Sequence, residues 1–517
     1  MNEPLAEAAP SNRLMITVSI MLATIMQTLD STIANVALPH MAGGLSASQD
    51  QITWVLTSYI VAAAIATPVT GWLSGRYGRK LVFLASIAGF TITSALCGMA
   101  ANLPEIVLAR LLQGLFGAAL VPLSQAVMLD INPPERHARA MAVWGMGVML
   151  GPILGPTLGG WLTDNVSWRW VFLINLPVGV LSFAGVYCYV SEVKASVLSR
   201  FDWFGFAMLA LAIGMLQLLL DRGEQLDWFG SIEIRIEAVA AFVAFVFFVL
   251  HTATSGRESF LNKALLKDRN FVTGLAFYFL LGLLLYATRA LLPPLLETLL
   301  GYPVMTTGLV TAPTGVGTMA AMLVAGRLVG RVDSRLIVAL GFGLTAMSLW
   351  TMAGYTPQIT EWDVVWPGFV QGLGLGFTSV PLTTMTFSTL QRHLRPDGTA
   401  IYSLSRNIGS SIGISVMQTL LVRNTATMHA SLATYMTAGA LFSGHLGATL
   451  GRVFDLHAPE GLAALNQLLD RQAAFVAYVD DFKLMFWMTA LSMPFLWLMR
   501  TRKGGDAGQA EPAGVME

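Results

Sequence analysis

Apolar residues fill this chain in blocks of about twenty, and the breaks between them are short, polar and rich in Gly, Pro and Arg. A bilayer core of roughly 30 Å takes about 20 residues of helix, so each block predicts a helix able to cross one. The blocks lie at 14–36, 52–72, 81–101, 105–128, 138–161, 169–190, 203–220, 234–251, 271–292, 305–326, 335–354, 364–388, 399–422 and 483–500. They predict an all-α membrane protein with about fourteen transmembrane helices. The polar stretch Met1–Arg13 precedes the first block, which lacks a cleavage-type ending and is expected to stay as the first helix.

Composition agrees. Hydrophobic residues make up 55% of the chain and charged ones 12%, with a mean hydropathy of +0.64; soluble chains carry about twice that charge. The 30 basic and 30 acidic residues cancel, which leaves no electrostatic footprint for a nucleic acid. Cys97 and Cys188 lie in apolar runs and read as small buried hydrophobes, and no Cys/His spacing suggests a metal. The seven histidines are scattered, so no hydrolytic or metal-based enzyme site is expected. Gly372-Leu-Gly374-Leu-Gly376 lies within an apolar block, where a phosphate would not bind. A transporter driven by an ion gradient, with no cofactor, is the remaining class.

Orientation follows from where Lys and Arg collect. With both termini cytoplasmic, 20 of the 30 basic residues fall on the inner side, seven on the outer side, and Arg110, Arg289 and Arg406 inside spans. One outer connection, 423–480, is too long for an ordinary loop. Leu462, Leu465, Leu468, Leu469 and Val476 recur in it at helical spacing, which predicts a helix packed on the outer face or docking a periplasmic partner.

The chain also repeats. Gly71-Trp-Leu73-Ser-Gly75-Arg76 is echoed by Gly326-Arg-Leu328-Val-Gly330-Arg331 at an offset of 255, and Gln113-Gly114-Leu115 by Gln371-Gly372-Leu373. Two echoes at nearly one offset imply two parallel six-helix halves with the seventh and eighth spans inserted between them. The expected organisation is a cytoplasmic N-terminus (1–13), an N-terminal six-helix bundle (14–200), two inserted helices (201–252), a C-terminal six-helix bundle (253–503) carrying loop 423–480, and a cytoplasmic tail (504–517).

Gly71–Lys80, with Gly71, Arg76, Gly78 and Arg79, resembles the loop motif of the major facilitator superfamily. It departs at Gly75, where that motif has Asp, so no gating pair is expected from that carboxylate. Leu108-Ala-Arg110-Leu-Leu-Gln113-Gly114 resembles the fourth-helix motif. Gly151-Pro152-Ile-Leu-Gly155-Pro156-Thr-Leu-Gly159 resembles the fifth-helix motif of antiporters. Leu29–Pro39 and Leu220–Trp228 resemble the fourteen-helix drug:proton antiporters, the EmrB type above all. The resemblance spans nearly the whole chain. It implies the major facilitator fold and proton-coupled efflux of small amphipathic drugs across a bacterial inner membrane, together with a periplasmic adaptor and an outer-membrane channel. A specific endogenous solute such as a fatty acid or siderophore is the alternative.

The chemistry is expected where charge enters a span, since a charge at the centre of a helix costs at least about 2.5–3.5 kcal/mol. Asp30 stands about 15 residues, or roughly 22 Å, along the first span, with Gln27 and Ser31 on its face. A carboxyl taken out of water favours its protonated form, so Asp30 is the expected proton carrier. Arg110 falls at similar depth and is expected to modulate that protonation. Gln113, Arg406, Asn407 and Glu297 complete the expected cavity, and Arg289 reads as an interface anchor. Gly147, Gly151, Gly155 and Gly159 recur every four residues, allowing close helix approach, and Pro152 and Pro156 should bend that helix.

Overall fold

The computed structural model describes residues 10–192, 201–254, 263–391, 394–435 and 458–499. The expected tail 504–517, most of the N-terminus 1–13 and the middle of the outer loop, 436–457, lie outside the described residues.

The described chain is helical and follows the apolar blocks in order. Its rods are α1 (Pro10–Gly44), α2 (Trp54–Ala66 continued by Val69–Tyr77), α3 (Arg79–Met99) and α4 (Leu103–Gly117 continued by Leu120–Ile131). Next come α5 (His137–Asn165), α6 (Trp170–Leu173 continued by Asn175–Tyr189), α7 (Trp203–Arg222) and α8 (Ile232–Thr254). The rest are α9 (Arg269–Pro294), α10 (Val304–Leu328), α11 (Ser334–Met352), α12 (Glu361–Ser388), α13 (Arg395–Tyr435) and α14 (Pro459–Ser492). Ten helices among the described residues are long and apolar enough to cross a membrane, eleven with the bent α2 taken as one span. Rods also occupy the last three expected spans, but α12, α13 and α14 are richer in Gly, Ser, Thr and charged residues and fall short of that apolarity.

The breaks have a covalent cause. Proline has no N–H to donate to the carbonyl four residues back. The two segments of α2 meet at Pro68 with a bend of 55°; α4 is interrupted four residues before Pro122 and α6 just before Pro177. After Pro293 and Pro294, α9 passes into a π turn at Leu295–Leu299. By contrast, α5 runs unbroken past Pro152 and Pro156. Cys188, expected to be buried, is exposed on α6.

Contacts repeat between the halves. In the first, α1 packs on α5 and α6, and α4 on α2 and α3; in the second, α9 packs on α13 and α14, and α12 on α10 and α11. The halves meet through α5 against α10 and through the lower segments of α2 and α4 against α13, while α7 touches both α2 and α13. The repeated loop glycine provides the seat each time. A Cβ on Gly71 would collide with Asp397 of α13, and one on Gly326 would come 2.9 Å from Ala142 Cβ of α5. Both seats lie on the side where Lys and Arg collect, so this arrangement is closed on the basic side.

The outer loop also differs from expectation. Its first part, to Tyr435, continues α13, and residues 459–480 begin α14, so Leu465 and Leu469 are buried in a two-helix hairpin. At 41 residues α13 is about 60 Å long, twice the bilayer core, so the hairpin must project. His429 Nε2 lies 3.0 Å from Asn466 Oδ1, and Arg471 Nη2 donates to the Leu299 carbonyl at 2.7 Å, tying the hairpin to the outer end of α9.

Candidate functional site

Asp30 is fully buried, and so, at 1% exposure, is Arg110. Arg110 Nη1 donates to Asp30 Oδ2 at 2.6 Å. The other carboxylate oxygen accepts from Gln113 Nε2 at 3.0 Å and Asn175 Nδ2 at 2.9 Å. Arg110 also donates through Nε to the Val55 carbonyl (3.1 Å) and through Nη1 to Gln113 Oε1 (2.9 Å). Its guanidinium lies 4.2 Å from the centre of the Tyr59 ring and 5.5 Å from that of Phe172. Asn175 is held in turn by Ser94 Oγ at 2.9 Å. Five of the six helices of the first half thus converge on one carboxylate, both of whose oxygens are partnered. A buried ion pair survives only when its remaining donors and acceptors are satisfied in this way.

Of the expected residues, Asp30, Arg110 and Gln113 come together here. Gln27 is one step removed, donating to the Tyr59 hydroxyl at 3.1 Å. Ser31 is half-buried and donates back to the Thr28 carbonyl at 2.9 Å. Asn175, Ser94 and Tyr59 were not anticipated; the only sequence signal was a lone polar residue within an apolar block. The glycines of α5 set the position of α1. A Cβ on Gly151 would strike the Thr28–Leu29 backbone, one residue from Asp30; one on Gly155 would strike Thr32; one on Gly159 would come 2.9 Å from Ile33 Cγ1.

The second half carries the same frame without the charges. Gln371 matches Gln113 and donates to Thr288 Oγ1 at 3.0 Å; Thr288 is offset by 258 from Asp30, and Gly368 stands where Arg110 would. This half instead presents cations beside aromatic rings. Arg406 Nη1 donates to the Tyr278 hydroxyl at 3.4 Å, and Nη2 lies 3.5 Å from Asn407 Oδ1. Tyr278 stacks flat on Tyr402 with ring centres 3.7 Å apart. Arg289 is half-buried, with its guanidinium 5.9 Å from the Tyr286 ring centre. Neither arginine has a carboxylate partner among the described residues. Glu297 is half-buried on the π turn after α9, apart from the Asp30 network.

On the basic side, Gly78 takes φ 89° between α2 and α3, a backbone that favours glycine, and Arg76 is exposed in the last turn of α2. Arg79 pairs with Asp130 of α4, and Arg395 of the other half reaches the same carboxylate at 3.4 Å. Asp397, two residues on, caps the Gly71 seat. So although Gly75 replaces the motif's aspartate, carboxylates at 130 and 397 still join the halves. Burial pushes the Asp397 carboxyl up from 3.8 to about 6, against the pull of Arg79. The closed seat therefore holds a proton more tightly than an open, solvated one. Its contribution to closure is complete below about 3.8 and lost as pH rises through about 6. Lowering the pH from about 7 to about 5 should shift the population toward basic-side closure, read as a shorter distance between spin labels at positions 136 and 391. In Asp397→Asn that pH response should shrink.

Residues 20–414 match the profile of the Major Facilitator Superfamily. The chain is 35% identical over 489 residues to the fatty acid resistance protein FarB of Neisseria gonorrhoeae, covering 94% of this chain and 96% of that one. It is 38% identical over 421 residues to the multidrug export protein EmrB of Escherichia coli (strain K12), covering 80% and 81%. The crystal structure of the human organic anion transporter MFSD10 superposes with a TM-score of 0.59 at 15% identity, over 93% of this chain and 100% of that one; at such identity the likeness speaks for the fold alone. With the helical bundle, the paired halves and these relatives together, the chain belongs to the major facilitator superfamily, as a multi-pass membrane transporter of the EmrB type and not an enzyme.

Proposed function

We propose that this protein exports hydrophobic or amphipathic drugs across a bacterial inner membrane in exchange for protons, with both termini cytoplasmic and Asp30 as the proton carrier. The observation that carries this reading is the buried carboxylate of Asp30, on which Arg110, Gln113 and Asn175 converge. In the arrangement described, Arg110 holds Asp30 in a buried ion pair. When α1 shifts along the glycine face of α5, the pair separates, and a buried carboxyl without its cation takes up a proton. Arg110 is then the modulator, and Gln113, Gln27 and Ser31 are the polar groups of the first half that a substrate cavity would draw on. The hairpin of α13 and α14, longer than the bilayer is thick, is the surface offered to a periplasmic adaptor and, through it, an outer-membrane channel.

A second reading, export of a fatty acid or similar endogenous anion, is favoured by Arg406 and Arg289. Both stand beside aromatic rings without a carboxylate of their own among the described residues, a setting suited to an anionic headgroup. The name of the Neisseria relative is consistent with it.

Inside-out vesicles carrying the protein test the coupling. With an imposed pH gradient, a fluorescent hydrophobic drug should accumulate in wild type, and accumulation should be lost in Asp30→Asn while the protein remains in the membrane. Gradient-driven uptake surviving in Asp30→Asn would remove Asp30 from the proton path and make Glu297 the next candidate.

A further inference from the structure

A cavity of about 630 Å³ lies between the inserted helices and the seam of the two halves. Its walls come from α7 and α8, from Pro68 and Trp72 of α2, and from α13. Because α2 and α13 belong to opposite halves, no single body makes this space, and its shape must change as the halves rock. The lining is apolar throughout except for Asp397 at the basic-side end.

The cavity opens sideways. Phe242 and Phe245 line it and are nevertheless 68% and 53% exposed on α8. Around them Val239, Val243, Phe247 and Leu250 are exposed too, an apolar face long enough to be surrounded by bilayer hydrocarbon. On the inner wall, Ala64, Ile213 and Leu404 pack together with Leu209 and Ile408 and close the space toward the centre of the protein. The volume lies in the range of ordinary ligand sites, and its apolar lining suits a hydrocarbon chain.

The rim indicates what is attached to that chain. Trp72 lines the cavity, and the exposed Arg76 holds its guanidinium 5.9 Å from the Trp72 ring centre. Arg76 is in the last turn of α2, at the basic end of the span, where lipid headgroups lie. A guanidinium there suits a phosphate. We propose that the cavity holds one acyl chain of a bilayer phospholipid whose phosphate is bound by Arg76, and that this lipid joins the inserted helices to the seam of the two halves. The lipid then favours the arrangement in which α2 and α13 meet, because only that arrangement completes its walls.

Native mass spectrometry of the detergent-purified, delipidated full-length protein tests this, with phosphatidylglycerol of defined chains added back. Wild type should retain one phospholipid per chain. Ala241→Trp and Ala212→Phe, which fill the cavity from α8 and α7 respectively, should each weaken binding at least about tenfold through lost chain burial. Arg76→Gln should weaken phosphatidylglycerol but leave diacylglycerol with the same chains unchanged, and this arm decides the matter if neither filled variant folds. Equal phospholipid retention in wild type and folded filled variants would overturn the proposal. So would loss of both lipids alike in Arg76→Gln, or displacement of the phospholipid by palmitate, which would make the space a substrate vestibule.

Discussion

Arg110→Met should lower the stability of the protein by about 3–5 kcal/mol, the usual result of stranding one partner of a buried ion pair. Arg110 provides one of the three donors to Asp30 and also bonds the Val55 carbonyl and Gln113, so its loss leaves a buried carboxylate short of its cation. Arg110→Lys should not rescue fully, because an ammonium lacks the planar fork that reaches several acceptors at once. The double variant Asp30→Asn with Arg110→Met removes both charges and should recover most of the stability while transport stays lost. Thermal unfolding in detergent and vesicle uptake, measured on the same set, separate the two effects. If Arg110→Met melts with wild type, or the double variant is less stable than either single one, the network is not organised around this pair.

Gly151→Ala should abolish or nearly abolish transport although it adds only one methyl group. The new Cβ would meet the backbone of Thr28 and Leu29, with Leu29 N at 2.6 Å, and backbone cannot rotate aside as a side chain can. Overpacking of this kind costs about 1–3 kcal/mol, roughly one to two decades in a conformational equilibrium. The displaced atoms also adjoin Asp30. Gly160→Ala on the same helix is the control: its Cβ would find only Val36 Cγ1 at 4.0 Å, and it should transport normally. Equal activity in the two variants would mean that the approach of α1 to α5 does not position the site.

Helices and buried charges can be read along the chain, whereas their neighbours cannot. That the chain is a bundle of membrane helices was legible because every backbone polar group in hydrocarbon must be satisfied within its own helix, so an apolar run of sufficient length has one solution. Asp30 and Arg110 were legible because a charge in such a run is too costly to be incidental. The glycine stripe was legible from its spacing alone. Asn175, Ser94 and Tyr59 were not, since a single amide or hydroxyl in an apolar block is as often a helix's own back-bonded ornament, as Ser31 is. Their roles depend on which helices become neighbours. The same holds for Asp397, which answers for the missing carboxylate at Gly75 across 322 positions of sequence only because Gly71 lets the two halves touch. Likewise, residues 423–480 looked like one long loop because their polarity differs from that of a span; packing made their two ends the tips of α13 and α14. Composition and periodicity, which act along the chain, determined the helices and the charges worth watching. Only the tertiary structure decided which polar groups share a site, because that depends on contacts between residues the chain places far apart.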